Sequence, residues 1–198
     1  MAFPSVFIVN CKTMNKFKNL IVLGPLVYVA HHFEEHIIFN FIEWKLQYFK
    51  HSSAPLSTEV ILSILICILI IFALLHLIKK NRASGHLVLF ILFAIQVVNA
   101  FYHIFFRFYF SDFSPGTITA ALLYLPVNFL IVQAAFKEGF LRSYFEYGCI
   151  SVLGTVTFIL FEIFGPIIIG LSIIFSLVYF FWFNNKLVAH LTQNPFKN

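Results

Sequence analysis

Residues 145–183 read FEYGCISVLGTVTFILFEIFGPIIIGLSIIFSLVYFFWF, a run with two carboxylates and no basic residue. As one helix rising 1.5 Å per residue it would be roughly 58 Å long, far more than the hydrocarbon core of a bilayer needs. The run must turn back, and Gly165-Pro166 at its middle is the pair that ends one helix and starts another. Two membrane-crossing helices joined by a tight hairpin are expected. A single tilted helix kinked at Pro166 is the alternative; it would leave five crossings and put the C-terminus on the opposite side.

Working outward, four more apolar stretches reach spanning length: Gly116 to Phe136, Gly85 to Phe108, Thr58 to Leu77 and Asn19 to Trp44. Ser114-Pro115 suits a helix start, and Pro126 a kink within the helix that follows. The expected fold is an all-α, polytopic transmembrane bundle of about six helices. Composition agrees, because 61% of the 198 residues are hydrophobic and 11% charged, against about 25% charged in soluble domains. The 28 Phe are read as lipid-facing and interhelical filler. Residues 14–198 are expected to form one domain. Residues 1–13, which lack a basic leader and a convincing cleavage site, are read as an N-terminal extension with no part in the fold.

The net charge of +5 comes without a basic run that could track a nucleic acid, so no nucleic-acid partner is expected. The positive residues instead record orientation. With a cytoplasmic N-terminus, ten of the thirteen Lys and Arg fall inside, leaving Lys45, Lys50 and Arg107 outside. Both termini are therefore expected to be cytoplasmic. Cys11, Cys67 and Cys149 have no metal-type spacing and are read as free, inert thiols.

Three of the eight acidic residues, Glu34, Glu35 and Glu162, lie within apolar spans, where a charge opposes insertion by roughly 2.5–3.5 kcal/mol. They call for a reason. At about 100° per residue, His31, Glu34 and Glu35 share one arc of the first helix, with Tyr28 continuing that face and His32 and His36 on its flank. Gln96, Asn99, His103 and Arg107 form a similar stripe on the third. Counting rise from the cytoplasmic side, Glu35, His103 and Glu162 all reach the outer half of the bilayer. Adjacent carboxylates in lipid repel unless a cation or proton is shared, so this cluster is poor interhelical glue. His76, His86 and His190, near helix ends, fit that role.

The residues His31-x-x-Glu34-Glu35, Asn99-x-x-x-His103 and Phe113-Ser114-Pro115-Gly116 resemble, in order, the HXXEE, NXXXH and YXPG signatures of the HXXEE-motif family of uncharacterised bacterial membrane proteins. The first two match in full. In the third, Phe113 stands where the family has tyrosine. The resemblance implies a bacterial, inner-membrane protein with a site at these residues, and names no reaction.

The expected site follows from the ligand chemistry. His31, His103 and Glu34 are expected to hold a divalent metal, zinc first, with Glu35 as general base and Asn99 orienting an intermediate. Gln96, Tyr28 and Arg107 are expected at the substrate, with Arg107 on a phosphate or carboxylate headgroup. Glu162, His32 and His36 are candidate additions. The expected function is a metal-dependent hydrolase acting on a lipid or other apolar substrate among membrane lipids. The alternatives are a metal-free acid/base isomerase or cyclase of an isoprenoid-like lipid, and a proton-coupled transporter.

Overall fold

The computed structural model describes residues 16–49 and 57–193, with side chains as far as residue 186. The expected extension, residues 1–13, lies outside the described residues, as do Cys11 and the His190 side chain. Every regular element described is helical. In chain order these are α1 (Phe17–Leu20), α2 (Leu23–Phe33, prolonged by a π-helical turn, Glu34–Ile38), α3 (Phe41–Tyr48), α4 (Thr58–Lys79), α5 (Arg82–Tyr109), α6 (Thr117–Lys137), α7 (Tyr144–Phe164) and α8 (Ile167–Gln193).

Helices α4 to α8 are each long and apolar enough to cross a membrane, by length and composition. They correspond to the stretches read from the sequence. The expected first span, Asn19 to Trp44, is not one helix. Its path loosens at Ile21-Val22, because Pro25 has no N–H to donate to the Ile21 carbonyl and Gly24 N bonds that carbonyl instead, at 3.2 Å. It ends at Phe39, where the backbone becomes extended (φ −123°, ψ 145°) and Asn40 caps α3 by accepting from Glu43 N at 3.2 Å. Both Ile21 and Val22 keep right-handed helical dihedrals. The 22 residues from Phe17 to Ile38 therefore rise about 33 Å, enough for a crossing.

Helix α5 is the central element, packed against α4, α6, α7 and α8 and buried on all sides from Ala83 to Leu92. Its start is a reciprocal cap, with Ser84 N donating to Asn81 Oδ1 and Asn81 N to Ser84 Oγ. Gly165 takes φ +71° between α7 and α8, so the Gly-Pro pair makes the expected hairpin. The outer helices present bare apolar side chains, among them Ile71, Leu122, Val156 and Leu171. Lipid is the solvent in which such a surface is stable.

Two further π-helical turns interrupt α5 at Phe93–Val97 and α6 at Ala120–Tyr124. The second answers the expected effect of Pro126. With no N–H there to bond one turn back, the helix widens just before it, and Leu125 N reaches the Ala120 carbonyl. The widened turn of α2 carries Glu35 and that of α6 carries Tyr124, whose ring covers His31, while that of α5 carries Gln96, which braces α2 and α6.

Candidate functional site

The widened end of α2 carries Glu34, Glu35 and His36, and α5 brings Asn99 and His103 against it. Glu35 stands at the centre. Its Oε1 lies 2.8 Å from His103 Nε2 and 3.3 Å from His31 Nε2; its Oε2 lies 2.6 Å from His32 Nδ1 and 3.7 Å from His36 Nε2. His31 and His103 are fully buried and Glu35 nearly so. Ligand atoms of His31, Glu35 and His103 fall within 4.8 Å of one another, as do those of His32, Glu35 and His36.

Proximity does not amount to saturation here. His103 Nε2 and both ring nitrogens of His32 have no hydrogen-bond partner among the described residues. Their short approaches to Glu35 therefore lie off the direction a ring N–H needs. A buried polar atom left so costs about 1–3 kcal/mol. Tetrahedral ligands at zinc bond lengths sit about 3.4 Å apart and point at a common centre rather than at each other. The His31 and His36 spacings to Glu35, 3.3 and 3.7 Å, are near that value, and the His103 and His32 contacts, 2.8 and 2.6 Å, would have to open to admit an ion.

Glu34 takes a different place from the one expected. Its Oε1 accepts from Ile118 N at 3.2 Å and its Oε2 from Thr119 N at 2.7 Å, with the Thr119 hydroxyl donating to Oε2 as well. A buried carboxylate on the free N–H groups of a helix start is favourable on hydrogen-bond and dipole grounds alike. Thr119 Oγ1, its proton given to Glu34, is left to accept from His31 Nδ1 at 2.9 Å. This chain fixes the tautomer of His31 and turns the Nε2 lone pair toward Glu35 and toward Asn99 Nδ2, 3.1 Å away. On α5, His103 Nδ1 is held similarly by Ser114 Oγ at 3.2 Å.

The Pro-Gly turn before α6 is part of the site. Gly116 has φ +91°, and a Cβ there would stand 2.8 Å from His31 Cε1 and 2.9 Å from Glu35 Cγ. The ring of Tyr124 covers His31 at 4.3 Å between centroids. Sequence reasoning missed Ser114, Thr119 and Tyr124. Ser114 and Thr119 flank a helix start where buried Glu34 could find donors, which is the signal that was present.

The remaining expected residues divide. Tyr28 lies beside His32, its hydroxyl buried and without a hydrogen-bond partner among the described residues. Gln96 is an interhelical brace, donating to the Gly24 carbonyl at 2.7 Å and accepting from Asn128 at 2.8 Å. Arg107 is exposed and stacks 6.0 Å from the Phe113 ring. Glu162 pairs with Lys45 at 2.9 Å rather than with the histidines. His76 bonds Ser84, and His86 bonds Tyr179 and the Phe140 carbonyl, as glue. Cys67 and Cys149 are free.

A cavity of about 750 Å³ opens beside the cluster. His32, Glu35, His36 and Asn99 line one wall, apolar residues of α4 and α8 such as Leu65 and Ile169 another, and Lys45 and Glu162 also border it. His31 and His103 stand behind Glu35, outside that lining.

The sequence matches the family described as "Protein of unknown function with HXXEE motif" over residues 22–131, more than half of the chain and inclusive of all three motifs. No curated protein and no solved structure matches it. The chain therefore belongs to the HXXEE-motif family.

Proposed function

We propose that this HXXEE protein is an intramembrane, metal-dependent enzyme of hydrolase type acting on a lipid or another apolar substrate. The observation that carries the reading is the fully buried His103 Nε2, without a hydrogen-bond partner among the described residues and facing the same carboxylate oxygen as His31 Nε2. His31, Glu35 and His103 are the ligand set, zinc being the first candidate. Glu35 thus takes the ligand role expected of Glu34, and Glu34 positions His31 through Thr119. A cation there supplies Lewis acidity to polarise an ester or phosphate group.

The same cation takes the His31 lone pair that Asn99 now faces, which frees the Asn99 amide for a substrate oxygen. The Tyr28 hydroxyl, without a hydrogen-bond partner among the described residues, lies on a residue lining the cavity and offers a second donor. Arg107 lies off the cavity, so a headgroup anion is assigned to the cavity-lining Lys45, which would exchange its Glu162 partner for it. The cavity volume falls in the range of ligand sites, about 300–1,000 Å³, and its apolar walls suit an acyl or isoprenoid chain. The charge distribution supports an inner-membrane protein with both termini cytoplasmic and the site in the outer half of the bilayer.

The test is metal analysis of protein purified in detergent. Bound metal is expected in the parent and in His76→Ala, and its loss in His31→Ala and His103→Ala. Equal loss in all three variants would mean general destabilisation and remove the ligand set. A metal-free parent would favour the acid/base isomerase reading, in which His103 and Glu35, 2.8 Å apart, would have to realign to exchange a proton.

A further inference from the structure

Glu35 divides its two carboxylate oxygens between two pairs of histidines. On one side, His31 and His103 face Oε1 from full burial. On the other, His32 and His36 face Oε2 at 2.6 and 3.7 Å, their rings stacked 5.7 Å apart with 20° between planes. These two residues are partly exposed, and they line the cavity.

We infer that the centre is dinuclear, with the Glu35 carboxylate bridging an inner divalent cation held by His31 and His103 and an outer one held by His32 and His36. The inference rests on the metal reading above and deepens it.

Three observations converge on it. Neither ring nitrogen of His32 has a hydrogen-bond partner among the described residues, although Nδ1 is within 2.6 Å of Glu35 Oε2. A structural histidine satisfies at least one nitrogen. Next, Glu35 lies one helical turn beyond His31 and His32, beside His36 and within a widened turn, and such turns recur at functional sites. Finally, the outer trio supplies only three donors and faces the cavity, leaving coordination positions open to water and substrate, whereas the inner trio is enclosed. The outer cation would be the first to meet substrate, and the inner one would share the charge of Glu35 and act on the same polar group beside Asn99. Paired cations suit displacement at a phosphate or carboxyl ester, where attacking and leaving oxygens are stabilised together. The substrate class is thus a lipid ester or lipid phosphate with its polar group at His32 and His36.

The experiment is equilibrium loading of the full chain in detergent micelles with Co²⁺ alone, counted per chain, followed by Mn²⁺ loading and electron paramagnetic resonance. Two Co²⁺ per parent chain are expected, falling to one in His36→Ala and in His32→Ala, with an exchange-coupled Mn²⁺ pair in the parent only. His36 is partly exposed, so His36→Ala is not expected to unfold the chain; size-exclusion elution and far-UV helicity check this. One Co²⁺ in the parent, unchanged in His36→Ala, would overturn the dinuclear centre and leave the mononuclear reading intact. No Co²⁺ in a folded parent would overturn both. Two Mn²⁺ without exchange coupling would refute the shared carboxylate.

Discussion

Gly116→Ala tests the site without touching any proposed ligand. Gly116 sits at φ +91°, and an L-residue in left-handed backbone costs roughly 1–2 kcal/mol. The new methyl carbon would lie 2.8 Å from His31 Cε1 and 2.9 Å from Glu35 Cγ, whereas carbons rest about 3.5–4.0 Å apart. Relief requires His31 or Glu35 to retreat by about 0.7 Å, and overpacking of this kind costs about 1–3 kcal/mol. The sum, about 2–5 kcal/mol, falls on two ligands whose metal distances tolerate only about 0.2 Å of error. If half of it is felt in binding, metal affinity falls about 5–60-fold, since each 1.4 kcal/mol is tenfold. Competitive titration against a chelator measures this, and thermal unfolding in the same detergent reads the strain. Gly148→Ala is the control, a helical glycine whose Cβ would meet nothing within 4 Å; it should leave both unchanged or gain slightly in stability. Parent-like affinity in Gly116→Ala would refute the placement of the Pro-Gly turn against the ligands.

Glu35→Gln is expected to abolish metal binding. Glu34→Gln should retain the metal with affinity about 10–100-fold weaker, as for other residues that orient a ligand; the reverse pattern, read by metal analysis, would restore Glu34 to the ligand set. Outside the spans, Tyr48 donates to Asp112 at 2.8 Å, and this bond holds the Asp112 carboxyl below its usual range. The clasp's contribution is therefore present above the unfolded aspartate value of about 3.9 and lost as pH falls through the lower folded value. Trp44, its ring 5.4 Å from Tyr48, should fluoresce constantly from pH 8 to 5 and change only below that range, and Asp112→Asn should remove the change. Reporter fusions after Lys80 and Arg142 should read cytoplasmic, and those near Ser53 and Ser111 external; a cytoplasmic reading at Ser53 would overturn the orientation and the outer-half depth together.

What could be read from the sequence, and what could not, separates along a physical line. Length and apolarity placed α4 to α8 because lipid requires both of every crossing, and Gly165-Pro166 marked its hairpin because a run too long for one crossing must turn back and glycine takes the positive φ the reversal uses. The pairing of His31 with His103 was legible for a related reason: ionisable groups in lipid must find each other, and only two stripes carried them. The roles of Glu34 and Glu35 were not legible. Both lie on the same arc of a regular helix, and the choice between them depends on which neighbour stands at each edge of that arc. Here α6 begins beside Glu34, offering the N–H groups of Ile118 and Thr119, while α5 brings His103 to Glu35. The widened turn at Glu34–Ile38 leaves no mark in residue type. Arg107 misled for the opposite reason. It continues the helical stripe of His103, but one further turn carries it past the cavity to the surface beside Phe113, so that a shared face does not imply a shared depth.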